Sequence, residues 1–186
     1  MSLMHRLDEE QRRGLAVAWL AFLVAMLVAG IDQAVKVLIL IVLDGYSALV
    51  IAPGIHLIAI WNTGISFGLV QSDLWYSLLF RLIAFLGIGF LVLGALGSGR
   101  RITGIALGLL IGGALSSLID RVRLGAVLDY LQLTVMGLLF PAANLADLAM
   151  ALGILLLAID QFFIAGTVYV PAASRVARSA RPWLRR

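Results

Sequence analysis

Asp129 and Asp147 bracket the segment "LDYLQLTVMGLLFPAANLAD" (128–147) in a chain where acidic residues are scarce: ten Asp and Glu among 186 residues, 62% of which are hydrophobic. A carboxylate beside hydrocarbon is costly unless it is paired, solvated or used. Two close carboxylates form a hydrolytic device, because their repulsion leaves one protonated and one ionised near neutral pH. The ionised member takes a proton from water while the protonated member polarises a scissile carbonyl. That chemistry needs no cofactor and no metal.

Other polar residues fall at the same ends of the apolar stretches: Asp32 with Lys36, Asn62, Asp120 with Arg121, and Asn144. Each has a structural explanation to set beside a functional one. Asp32 and Lys36 have the i, i+4 spacing of an intrahelical ion pair. Asp120 and Arg121 suit a pair that orders a helix end. Asn144 as N-cap and Asp147 at N3, after Pro141, suit the start of a helix. Capping suffices as a structural explanation of Asn144 and offers none for Asp129. Arg81 and Asp160 lie within apolar stretches, where snorkelling or local pairing is expected, and stay outside the candidate site.

Elimination narrows the chemistry. The chain has no Cys and only two His residues, His5 and His56, far apart in sequence. A thiol nucleophile and an H-E-x-x-H zinc site are therefore excluded. A Ser–Lys dyad stays open, with Lys36 as base and Ser47 or Ser66 as nucleophile.

The elements that must carry these residues are membrane helices. Mean hydropathy is +1.07, and four stretches approach the roughly 20 residues a span requires. They are about 15–30 (continuing as an apolar segment past Asp32 and Lys36), 75–96, 102–119 and 145–166. The expected fold is a single domain over 1–186, an all-α integral membrane protein with four transmembrane helices. Segment 51–68 mixes Pro, Gly and β-branched residues with partial alternation, which predicts short strands in a small sheet on the outer face. The formal charge of +4 does not indicate nucleic acid, because the basic residues are placed to orient the chain. Arg6, Arg12, Arg13, Arg100, Arg101, Arg175, Arg178, Arg181, Arg185 and Arg186 fall on one side of four crossings. By the positive-inside rule both termini are cytoplasmic, with tails of about 1–14 and 167–186, and the connections 31–74 and 120–144 face outward. The basic, apolar opening is read as a retained span rather than a cleaved leader.

Four ordered motif blocks resemble those of bacterial lipoprotein signal peptidase (signal peptidase II). They are "DQAVK" (32–36), "WNTGISFG" (61–68), "GGALSSLIDRVRLGAVLDYL" (112–131) and "FPAANLADLAM" (140–150). The resemblance covers nearly the whole chain. It implies an aspartyl endopeptidase of the bacterial inner membrane, with Asp129 and Asp147 as catalytic dyad. Its substrates would be diacylglyceryl-modified prolipoproteins, cut just before the lipidated Cys. It also implies supporting roles for Asp32, Lys36, Asn62, Gly64, Ser117, Asp120, Arg121 and Asn144, and contact with membrane lipids. Ser116–Ser117 stands where the family usually has Gly-Asn, so Ser117 lacks an amide's paired donor and acceptor. The competing reading is a weakened paralogue that binds lipoprotein or lipid without cleaving. A small transporter is a third, disfavoured because the polar groups gather at one surface and no repeat is visible.

Overall fold

A computed structural model describes residues 3–63 and 74–165. Helix α1 (Leu3–Val42) leads into strands β1 (Ala48–Ala52) and β2 (Ile55–Asn62). Helices α2 (Leu74–Leu96) and α3 (Arg101–Leu124) follow, then β3 (Val127–Val135), β4 (Leu138–Leu139) and α4 (Leu145–Ile159). A π-helical turn, Asp160–Ala165, extends α4. Three described stretches are long and apolar enough to cross a membrane: Gln11–Val42, Arg101–Leu124 and Leu145–Phe162. The apolar part of α2, Arg81–Leu96, is shorter.

Helix α3 is central, packing against α1, α2 and α4. Lipid offers little hydrophobic drive for helix association, so close backbone approach must supply contact, and small residues permit it. Gly104, Gly108 and Gly112 repeat at every fourth residue of α3 and face Val17, Ala21 and Ala25 of α1. A Cβ at Gly108 would lie 2.7 Å from the Ala21 carbonyl oxygen. On the other side, a Cβ at Gly113 would lie 2.6 Å from the Ala146 oxygen of α4. The outward faces stay apolar, with Trp19, Leu23, Leu27, Phe85 and Phe90 exposed.

Two elements differ from expectation. First, α1 does not end near Gly30 but runs unbroken from Leu3 to Val42, so residues 31–42 are helix rather than outer connection, and the expected N-terminal tail is helical from Leu3. No Gly or Pro interrupts 31–42, and Asp32 and Lys36 point inward while Val37, Leu38 and Ile41 face outward. Second, the sheet is larger than the predicted 51–68 segment. Its order is β1-β2-β3-β4, all antiparallel, so half of it comes from 127–139. Strand β3 hides its alternation because Val127 through Tyr130 are all buried. Tyr130 packs with Ile39 and Leu43, tying the sheet to α1.

Candidate active site

The start of α4 organises the site. A helix begins with four backbone N–H groups that lack intrahelical partners. Here the first three are met by side chains from three different segments. Leu145 N–H donates to the Tyr130 hydroxyl (3.1 Å), Ala146 N–H to Asp32 Oδ1 (3.2 Å), and Asp147 N–H to Asn144 Oδ1 (3.0 Å). The Asn144 N–H in turn donates to Asp147 Oδ2 at 3.1 Å, closing a capping box. Burial pushes the Tyr130 phenol up to about 12, so it stays a neutral acceptor.

Asn144 does more than cap. Its Nδ2 donates to Asp129 Oδ1 at 2.6 Å, while Asn62 Nδ2 donates to Asp129 Oδ2 at 3.0 Å. The cap is present, and Asn144 also holds Asp129, so capping alone does not account for it. Strand register supplies the Asn62 contact: Ile60 pairs with Asp129 and Asn62 with Val127, so Asn62 lies on the same face, diagonal to Asp129. Burial raises the Asp129 carboxyl above its ordinary range, against the opposing effect of the Asn62 and Asn144 amides and the Lys36 and Arg121 charges.

Asp129 and Asp147 open onto one cavity of about 580 Å³ between α2, α3, α4 and β3. Asn62, Ser117 and Arg121 also line it, and the rest of its wall is apolar, with five alanines among larger residues such as Leu118, Leu148 and Met150. Asp147 is partly exposed, whereas Asp129 is buried. A cleft of this size and character suits an apolar ligand oriented by a few polar groups.

Behind the pair lies a buried ionic network. Lys36 Nζ sits 2.6 Å from Asp32 and 2.7 Å from Asp120. The i, i+4 pair is thus present, and Asp120 of α3 joins it as a second carboxylate on Lys36. Asp120 also accepts from Gln33 Nε2 (2.6 Å) and the Leu128 N–H (3.4 Å). Ser116 Oγ donates to Asp32 Oδ2 at 2.6 Å, a bond that glycine at that position could not make. Lys36 clamped by two carboxylates is the reverse of the unpaired, desolvated amine a Ser–Lys dyad requires. Gly64 and Ser66 lie outside the described residues.

Sequence reasoning missed Gln33, Ser116 and Tyr130 as contributors. The signal was present, since all three fall inside the quoted motif blocks. Asp160 was expected to snorkel or pair locally. It is instead fully buried, accepting from Thr103 Oγ1 (2.5 Å) and pairing with Arg100 (3.2 Å) at the far end of the bundle. Arg81 is partly buried, and its Nε meets no hydrogen-bond partner among the described residues.

Membrane-length helices carrying a small sheet, with carboxylates opening onto a cavity at one end, place the molecule among helical membrane enzymes. Residues 24–163 match the family model for signal peptidase (SPase) II. The chain belongs to the signal peptidase II family and is an aspartic peptidase. It is 33% identical to the lipoprotein signal peptidase of Brevibacillus brevis over 142 residues, 76% of this chain and 93% of that one. It is 35% identical to the lipoprotein signal peptidase of Aeromonas hydrophila subsp. hydrophila over 155 residues, 81% of this chain and 90% of that one. A bacterial membrane enzyme structure solved by the in meso method at 2.3 Å resolution superposes with a TM-score of 0.69 at 26% identity. That match covers 81% of this chain and 92% of the other.

Proposed function

We propose that this chain removes the signal peptide from diacylglyceryl-modified prolipoproteins, cutting before the lipidated Cys, with Asp129 and Asp147 as its catalytic pair. Family membership supports the reaction. The observation that carries the assignment of residues is that two carboxylates from separate elements, β3 and α4, line one apolar cavity. One ionised carboxylate takes a proton from a water molecule, whose oxygen adds to the scissile carbonyl. The other, protonated, hydrogen-bonds the carbonyl oxygen as it gains charge. Collapse of the tetrahedral intermediate breaks the C–N bond, and the departing nitrogen takes up a proton. The amides of Asn62 and Asn144 donate to both oxygens of Asp129 and so favour its ionised form.

Asp32, Lys36 and Asp120 hold α1, α3 and the start of α4 in place around the pair, and Arg121 and Ser117 face the substrate from the cavity wall. Gly64 belongs to the same set by its motif. In the membrane, α2 makes the fourth crossing, both termini are cytoplasmic, and the pair lies near the outer surface of the inner membrane beside the sheet. The position of Arg12, Arg13, Arg100 and Arg101 at the end of the bundle away from Asp129 supports this orientation.

The test is turnover of a diacylglyceryl-modified lipobox peptide by purified Asp129→Asn, Asp147→Asn and the double variant. Each single change is expected to remove most turnover, and the double change to cost little more, because a dyad acts as a unit. Near-normal turnover in either single variant would overturn the pair. Absence of turnover by the wild-type protein would instead favour the non-cleaving, lipoprotein-binding reading.

A further inference from the structure

At the end of the bundle opposite the carboxylate pair, two adjoining cavities share Arg13 and Gly99. One, about 410 Å³, lies against Arg13, Leu96, the Gly97–Gly99 turn and Arg100. The other, about 370 Å³, lies against Arg13, Val17, Leu20, Gly99 and Arg101. Three guanidinium groups thus converge where α1 passes the α2–α3 turn. The approach is close, since a Cβ at Gly14 would lie 2.8 Å from the Leu96 oxygen. Arg100 is held by buried Asp160, which fixes its direction and balances its charge. Arg13 and Arg101 add two further positive charges and no carboxylate lines either cavity, so their described lining is net cationic. The start of α3 adds to it, because Arg100 in the N-cap position provides no side-chain cap, leaving helix N–H groups and their dipole turned toward the same place.

Leu96 continues this cationic mouth into an apolar cleft. It also lines a cavity of about 150 Å³ between α1, α2 and α3, bounded by Ala18, Phe22, Met26 and Val92. Phe22, Met26 and Val92 are exposed on the outer surface of the bundle, where acyl chains lie. We propose that this end of the molecule binds an anionic phospholipid, its phosphate held by Arg13 and Arg101 beside the Gly97–Gly99 turn and an acyl chain lying along the cleft past Leu96. Guanidinium is suited to phosphate through paired, charge-assisted hydrogen bonds, and basic pockets between membrane helices take lipid headgroups. The apolar continuation selects a phosphodiester on a lipid over free phosphate. The lipid would lie where α1 meets the α2–α3 turn, at the other end of α3 from the pair, about 20–30 Å away along the helix.

The experiment is native mass spectrometry of the full chain equilibrated with equal amounts of phosphatidylglycerol and phosphatidylcholine, before and after Arg13→Gln/Arg101→Gln. The wild type is expected to retain phosphatidylglycerol about tenfold in preference, and the double variant to lose that preference. Arg13→Gln alone, an exposed change on α1, should lose part of it and keeps the test open if the double variant folds poorly. Equal retention of the two lipids by wild type, or an unchanged preference in folded Arg13→Gln/Arg101→Gln, overturns the site. Displacement of the lipid by millimolar inorganic phosphate overturns the acyl-chain contact and leaves an anion site. Lipid retention does not depend on turnover, so failure here leaves the peptidase reading untouched.

Discussion

The side-chain amide of Asn144 donates to Asp129 at 2.6 Å while its oxygen caps the N–H of Asp147 at 3.0 Å. One residue therefore couples the positions of both carboxylates, from a helix start to a strand.

Asn144→Ser separates the two jobs. Serine caps helices about as well as asparagine, so stability should change by only a few tenths of a kcal/mol, whereas alanine should cost about 1 kcal/mol. Serine lacks the reach and the amide donor to hold Asp129, so kcat/KM should fall at least tenfold in both variants. Thermal unfolding in detergent, measured beside turnover, checks this. Full activity in Asn144→Ser would make the residue a cap and nothing else.

The acid side of the pH–rate profile should respond to Asn62. Burial already raises the Asp129 carboxyl, and the Asn62 amide opposes that rise. Asn62→Ala removes a donor that favours the ionised form, so the carboxyl rises further. The acid limb of kcat/KM should then move to higher pH, with activity lost first on the acidic side. A limb that stays in place or moves to lower pH would show that Asp129 does not set it.

Lys36→Met should be severe. It leaves Asp32 and Asp120, both buried, facing each other without the cation between them. Removing one member of a buried ionic cluster costs about 3–5 kcal/mol. The expected result is a large fall in unfolding temperature or loss of folded protein from the membrane. Ser116→Gly should cost less, about 2 kcal/mol for its two side-chain hydrogen bonds, to Asp32 and from Gln33, since Lys36 still neutralises Asp32.

Helix packing gives a paired test. Gly108→Ala drives a Cβ into the Ala21 carbonyl and Val24 of α1, each 2.7 Å away, whereas a Cβ at Gly89 of α2 meets nothing within 4 Å. Overpacking a close contact costs about 1–3 kcal/mol, so Gly108→Ala should lower the unfolding temperature and Gly89→Ala should not. Equal effects would show that the α1–α3 approach tolerates more space than the structure allows.

Hydrophobic runs and local spacings were readable without coordinates. The spans at 102–119 and 145–166 correspond to α3 and α4, the strands predicted within 51–68 correspond to part of β1 and to β2, and the Asp32–Lys36 pair and the Asn144–Asp147 cap both form. Each of these depends on periodicity within one element, which a sequence carries directly. Family-like motifs also singled out Asp129 and Asp147, whose shared cavity the structure displays.

Contacts between elements were not readable. That Asp120 reaches Lys36 depends on how closely α3 approaches α1, which the glycines at 104, 108 and 112 set by letting backbones touch. Whether Asn62 reaches Asp129 depends on a strand register with an irregularity between Leu57 and Ile60, and a slip of one residue would turn Asn62 to the opposite face. Asp160 looked like a residue that could reach water, but the approach of α3 to α4 buries it against Thr103 and Arg100. The chain alone determined which residue types are available and which helices and strands carry them. Only tertiary packing decided which of those residues share a cavity, because that depends on distances between backbones far apart in sequence rather than on spacing along one of them.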